Sequence, residues 1–599
     1  MRRSIRGGGE VSEMEVDAVA NGVAALEVED SCGAVVVDEG REGKVEAEGE
    51  GGVAAAKSSK KKKKKKKVNS HGPDSSAEVF QALPSQKLVE SLFPWTAVMR
   101  PRRGRCAIAA RDIKAGEAVV VEQAVAFVPR SQDRTSVCHE CCRDLHRDVR
   151  SVECSRCKYA VYCQDCEESA MASHSKWCKV SQQIKEVAKI SDCDDDLLRF
   201  VMALALKRPL HNNDGGVGIL KDGVIHSTIQ DALALQTHEG KATSAWKASV
   251  RRGCNLLLSN WSLYSEVTEN VTSTGSQFAT LEELETLALL VNTNAHGMGS
   301  QGIHNADVAL GMFPFVSMLN HSCWPNCCFA SEGRVMTVRA TQDIPKDTEL
   351  CVSYINLYEP RGVRKQILAD TKHFDCSCVR CSEPLKSSID RFLEAAMCSV
   401  KGCDGVQVKS ISLAGRNYKR DQGGSSWECD VCSRVANPVS STSFPGKNIS
   451  GVDKPWELEI EAENRLATAM AVYGERKFKD ARVLLERFLT DFSGKLHPLH
   501  VFLFDALTPL MNCCRALGDA GEAARVCRNI ITSLEKVVPG NSLELANFYF
   551  CLGEMYIERA DESSTSPAIA KRYRKQGQEA FQKVRLARKI CLGKANLPS

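Results

Sequence analysis

The stretch FVSMLNHSCWPNCC, Phe315 to Cys328, sets an amide, an imidazole, a hydroxyl and a thiol side by side after a mostly apolar run. Three readings of it are open. Asn320-His321-Ser322 has the form of a glycosylation sequon. His321 and Cys323 are both metal-ligand types. The polar residues could also line a small-molecule pocket, shaped by the backbone that follows. Compartment and the remaining cysteines have to decide between them.

The chain has 599 residues, enough for about four domains. Its net charge of +4 does not single out a nucleic-acid binder or an acidic protein. No apolar h-region follows the basic start MRRSIR, and no run of about 18 apolar residues occurs. A protein without secretory signal or membrane span is therefore expected, in a reducing compartment, nucleus and/or cytoplasm. There the sequon reading of Asn320 falls away, as it does for Asn260, Asn270 and Asn448. The 28 cysteines then read as metal thiolates before disulfides.

Residues 1–85 are rich in Gly, Glu, Lys and Ser without periodicity and read as a disordered tail, acidic first and then carrying the unbroken run Lys60–Lys67. That run could serve nuclear import or bind polyanions, which limits any nucleic-acid contact to a non-specific one. β-rich runs flank turn signals from Leu92 to Val128. A mostly helical pattern spans Lys179 to Val291, and strand character returns in RVMTVRATQDI and TELCVSYI. Beyond Trp456 the pattern is helical throughout. Leu517-Gly518 and Leu552-Gly553 stand 35 residues apart, near the tetratricopeptide period.

The cysteines form three groups. Cys138, Cys141, Cys154, Cys157, Cys163, Cys166, His174 and Cys178 offer eight ligands, enough for two tetrahedral zinc ions. Cys376, Cys378 and Cys381 supply three ligands and need a fourth, for which Cys323 is a candidate. Cys398, Cys403, Cys429 and Cys432 make a complete set. In the first group so little apolar core is available that the metal would have to stabilise the fold.

With these residues in place, the chain resembles the SET and MYND domain-containing lysine methyltransferases. RGRCAIAARDIKAGE looks like the first SET segment, and CHEC, CSRCKYAVYCQDC and HSKWC look like a MYND finger inserted into it. NTNAHGM, MLNHSCWPN and ELCVSYI look like the SET core, and HFDCSCVRC like the post-SET segment. The implied fold is an α+β multidomain chain: a β-rich SET domain with an inserted MYND zinc finger and helical insertion, a post-SET zinc site, and an all-α tetratricopeptide-like C-terminal domain. The SET parts fall at 86–135 and 291–360, the finger at 136–180 and the helical insertion at 181–290. The post-SET segment follows at 361–384, a second zinc-like segment with four cysteines at 385–445 and the helical domain at 446–599.

The resemblance further implies S-adenosylmethionine as cofactor, contacted by Gly104, Arg105, Asn294, Asn320, His321 and Phe374, with Tyr354 as the catalytic channel tyrosine. Cys323 would join Cys376, Cys378 and Cys381 on zinc, and three to four structural zinc ions are expected in all. Asn320 and His321 would contact the cofactor through side chain and backbone, while Cys323 faces the other way. The implied partners are a lysine-bearing protein substrate, histone or non-histone, and peptides held by the MYND finger; the chain is expected to be a monomer. The alternative is a catalytically weak or inactive scaffold built on the finger and the helical repeats.

Overall fold

The computed structural model describes residues 82–594 apart from 102, 146–149, 176, 208–217, 220–222, 265–278, 300–306, 410–425, 437–453 and 563–564. The acidic stretch and Lys60–Lys67 lie outside the described residues. The fold takes in the last of the segment expected to be disordered. Leu83 is buried, and Ser85 gives both its backbone N–H and its hydroxyl to the carboxylate of Asp231, each at 2.8 Å.

The β-rich part is made of short strands far apart in sequence. Trp95–Arg100 and Gly104–Ala109 form an antiparallel hairpin with Arg100 opposite Gly104. Gly104 has φ +67°, the left-handed conformation that closes a three-residue hairpin loop. The β-branched strand Ala118–Gln123 is central to a five-stranded sheet. It pairs antiparallel with Val335–Ala340, which in turn pairs with Cys327–Glu332, and parallel with Ile225–His226. Phe127–Pro129, Asp307–Met312 and Ala295–Gly299 make a second antiparallel sheet. Of the expected strand TELCVSYI only Cys351–Val352 is a strand, and it runs parallel to Asn320–His321. The residues just before it instead lie along the hairpin, with Leu350 N–H on Ala107 O and Ala109 N–H on Thr348 O, both 2.9 Å.

Helices Asp195–Ala205 and Leu281–Asn294 pack beside the second of these sheets, and helices Cys178–Ser191 and Ser244–Tyr264 pack on them in turn. Among the described residues six helices follow the last strand: Pro455–Gly474, Phe478–Phe492, Val501–Ala516, Ala520–Val537, Leu543–Asp561 and Pro567–Leu592. Each packs on its sequence neighbour, as helical hairpins do. The 35-residue spacing, however, does not mark equivalent positions. Gly518 follows a helix end in the left-handed conformation, at φ +73°, whereas Gly553 lies inside helix Leu543–Asp561. A Cβ on Gly553 would stand 2.5 Å from the ring of Phe581, so close helix packing requires that glycine. The last helix returns to the five-stranded sheet, where Lys594 pairs with Glu332 at 2.6 Å.

Two large apolar cores result, one among the sheets and one among the terminal helices. Tyr354 packs against both.

Candidate active site and cysteine groups

The apolar run before Asn320 is a strand end followed by one turn of 3-10 helix, Val316–Met318. Phe313, Phe315, Val316 and Leu319 are fully buried there. A buried carboxylate holds this turn: Glu122 accepts the backbone N–H of Phe315 (3.1 Å) and of Val316 (2.9 Å) and the hydroxyl of Ser227. Burial pushes the Glu122 carboxyl up to about 7 against these hydrogen bonds.

Asn320 faces the first hairpin. Its Nδ2 donates to Arg105 O (2.8 Å) and Glu349 Oε1 (2.9 Å), with Arg103 O at 3.4 Å. Glu349 also meets Arg103 at 3.3 Å. Gly104 sits in this loop with open space on its flank, since a Cβ there would meet nothing within 4 Å. The Arg105 side chain leaves toward Ala234 O (3.3 Å), and burial lowers its pKa. Asn294 ends helix Leu281–Asn294 and gives its amide N–H groups to Leu290 O (3.0 Å) and Gln236 O (2.9 Å). Ser317 of the turn donates to Asn294 O at 3.4 Å, so Asn294 and Asn320 flank the same turn.

The ring of His321 turns away from the side on which Asn320 lies. Its Nδ1 accepts the backbone N–H of Tyr354 (3.1 Å), which leaves the proton on Nε2, and Nε2 points at Cys323 Sγ, 3.2 Å away. The side chains thus divide between Asn320 and His321, which leaves the backbone of His321 for the side that Asn320 faces. In this extended pair neighbouring side chains take opposite faces, so the imidazole joins the thiol side. Burial pulls the His321 pKa down to about 4 and keeps the ring neutral.

Tyr354 donates its hydroxyl to Leu319 O at 2.6 Å, and burial raises its pKa, so the phenol stays protonated. The His321 ring lies between Tyr354 (centroids 5.4 Å apart) and Phe374 (6.2 Å). Phe374 opens onto a cleft of about 2660 Å³, lined also by Trp246, Asn292 and His373.

The sixteen residues expected as metal ligands assemble into four groups: Cys138, Cys141, Cys163 and Cys166; Cys154, Cys157, His174 and Cys178; Cys323, Cys376, Cys378 and Cys381; Cys398, Cys403, Cys429 and Cys432. Within each, the ligand atoms all lie within 4.8 Å of one another. The first two interleave along the chain because the hairpin Ser151–Glu153 and Val161–Cys163 carries Cys163 back to Cys138. Sγ–Sγ separations of 3.8 Å (Cys141–Cys163), 3.5 Å (Cys323–Cys381) and 3.7 Å (Cys398–Cys432) are close to the edge of about 3.8 Å in a tetrahedron with 2.3 Å metal–sulfur bonds. All four groups fit a zinc-sized ion.

Two residues of the site escape motif reading. Glu349 looks like one more alternating residue of ELCVSYI, and only the fold brings it to Asn320. Glu122 did leave a signal, as the one acid after three valines in AVVVEQ, but what it holds lies 193 residues away.

Comparison with known proteins adds to this geometry. A family model described as SET domain matches residues 104–355. A histone-lysine N-methyltransferase of Arabidopsis thaliana is 27% identical over 315 residues, 52% of this chain and 60% of that protein. A SET domain-containing protein of Drosophila melanogaster is 25% identical over 57% of this chain and 65% of its own length. A SET and MYND domain-containing protein of Dictyostelium discoideum is 23% identical over 57% of this chain and 95% of its own. The chain thus spans less than two thirds of the first two relatives. Among the described residues no helix is long and apolar enough to cross a membrane.

Proposed function

We propose that this chain, a member of the SET and MYND family, is an S-adenosylmethionine-dependent protein-lysine N-methyltransferase. The reading is carried by the convergence of Asn320, His321 and Tyr354 on one turn, with Tyr354 bonded to it at both its backbone and its hydroxyl. The names of several relatives support it. The residues fit the cofactor: Gly104 leaves room beside the Asn320 amide, and Phe374 offers an aromatic face at the cleft.

When bound, S-adenosylmethionine supplies an electrophilic methyl group on a sulfonium. The chain's share is alignment and a neutral amine. A free lysine, with a pKa near 10.4, is almost wholly protonated at neutral pH, and a buried apolar setting such as that around Tyr354 disfavours its ammonium form. Tyr354 gives its own proton to Leu319 O, so its oxygen is turned to accept from the amine and orient the lone pair. A phenol whose pKa is raised orients without acting as a base.

In this reading the two interleaved groups are a MYND finger with two structural zinc ions, able to hold peptide partners. The Cys323 group is the post-SET zinc site, and the Cys398 group takes a fourth ion. The helical tail is the tetratricopeptide-like domain. The substrates are histone and/or other proteins, met by a monomer in the nucleus and/or cytoplasm. Purified protein with labelled S-adenosylmethionine and a histone mix or lysate tests this: label should reach lysine. No transfer, together with no cofactor binding by calorimetry, sinks the reading.

A further inference from the structure

Arg380 stands between two cysteines of the buried group, in Cys378-Val379-Arg380-Cys381, and is itself 4% exposed. Its guanidinium spends donors in four directions. Nε and Nη2 reach Asp390 Oδ1 at 2.9 and 2.7 Å. Nη1 lies 3.3 Å from Cys323 O, 2.9 Å from Leu357 O and 3.1 Å from Val537 O. Those three carbonyls belong to separate parts of the fold. Cys323 is where the candidate catalytic turn ends. Leu357 follows Tyr354 by three residues. Val537 is the last residue of tail helix Ala520–Val537, whose C-terminal carbonyls carry the negative end of the helix dipole.

The charges around it close. Asp390 is fully buried and also holds Arg364 (2.7 Å) and Arg361 (3.1 Å). Burial opposes its charge, and the bonds and fields of Arg364 and Arg380 outweigh that and keep its carboxyl below the usual range. Three guanidiniums against one carboxylate leave two positive charges. Four thiolates around a divalent cation would leave two negative ones, and Arg364 Nη2 lies 3.8 Å from Cys381 Sγ. Buried charge of this kind is stable only when paired and hydrogen-bonded, and it is specific in geometry because a guanidinium has fixed donor directions.

We propose that Arg380 is a positioning residue: it ties the Cys323 end of the turn, and through it Tyr354, to the end of helix Ala520–Val537, so that the helical tail sets the geometry of methyl transfer. Its effect on turnover rests on the methyltransferase reading; its coupling of turn and tail does not.

Arg380→Lys in the full chain is the test, because lysine keeps the charge and loses the fork. Zinc content and S-adenosylmethionine affinity should stay within about twofold, while turnover falls roughly tenfold, as small misplacements at a reacting centre do. Amide hydrogen exchange should rise both at 319–323 and at 534–541. Unchanged exchange and turnover would overturn the proposal, as would loss of zinc, which would make Arg380 merely part of the metal site. Exchange rising at 319–323 alone would also overturn it, since the tail would then be uncoupled already. If Arg380→Lys does not fold, Asp390→Asn, which frees the same guanidinium, gives the same exchange readout. Should the wild type neither bind the cofactor nor transfer methyl, the enzyme reading fails and the exchange data still decide the coupling.

Discussion

Two of the cysteine groups have nearly the same internal spacing and very different surroundings. In the group of Cys323, Cys376, Cys378 and Cys381 every thiol is buried, and His321, Arg364 and Arg380 stand around it. In the group of Cys398, Cys403, Cys429 and Cys432 one thiol is exposed and two are half-buried. That second group sits on a small four-stranded sheet, which reaches the tail through Met397 N–H on Lys495 O at 2.7 Å and His497 N–H on Ala395 O at 2.9 Å. Equal ligand geometry therefore does not mean equal consequence. A metal in the first group would share its charge and its hydrogen bonds with the candidate catalytic turn. In the second it would hold a local sheet together.

The contrast can be broken most sharply at Cys323. Cys323→Ser should shed the metal of that group, cost about 3 kcal/mol or more of stability, and lower methyl transfer by roughly 100-fold. Metal content, thermal unfolding and the transfer assay check it, and full metal with full transfer would erase the distinction between the groups. Next comes Glu122, which anchors the same turn from its other side. Its carboxyl is raised in the folded state, from 4.5 to about 7, so the native protein binds more protons across that window. Wild-type stability relative to Glu122→Gln should thus fall as pH rises from 4.5 to 7, by at most on the order of 3 kcal/mol. Urea unfolding at several pH values reads this directly, and a flat difference would mean that the carboxylate is not desolvated as the fold implies.

Tyr354→Phe should lower turnover about tenfold, near 1.4 kcal/mol, and leave cofactor affinity within about twofold. Equal loss of both would place Tyr354 in the cofactor pocket instead. The smallest effect is expected at the exposed ligand. Cys432→Ser should loosen exchange around 427–436 and leave transfer within about threefold. A loss as large as that of Cys323→Ser would show that the second group also reaches the site.

Much of this was legible in the chain. Close spacing pointed to fifteen of the sixteen ligand candidates, because a short gap on a tight turn brings two ligand atoms together whatever the rest of the fold does; Cys323, far from its partners in sequence, came from the resemblance. How the first eight divide into two groups was not, since the hairpin Ser151–Glu153 and Val161–Cys163 decides it. The side on which the His321 ring lies was not legible for a related reason: a tripeptide does not say which of its side chains shares a face. Glu349 became visible only when residues 344–350 lay along the first hairpin. The glycine spacing in the tail misled because helix capping and close helix packing both call for glycine, and a period cannot tell them apart.

The parallel pairing of Asn320–His321 with Cys351–Val352 also has a consequence in time. The site needs Gly104 at one end and Cys381 at the other, a difference of 277 positions, whereas the tail is built from neighbouring hairpins. At the usual pace of synthesis, ~5–20 residues per second, roughly 14 to 55 s separate those two residues on the ribosome. Through the later part of that interval Cys323 has emerged without Cys376, Cys378 and Cys381, the other members of its buried group. Contacts so distant also form slowly. The corner of the finished molecule that carries the candidate chemistry thus cannot be completed until a segment made well after its own turn has arrived.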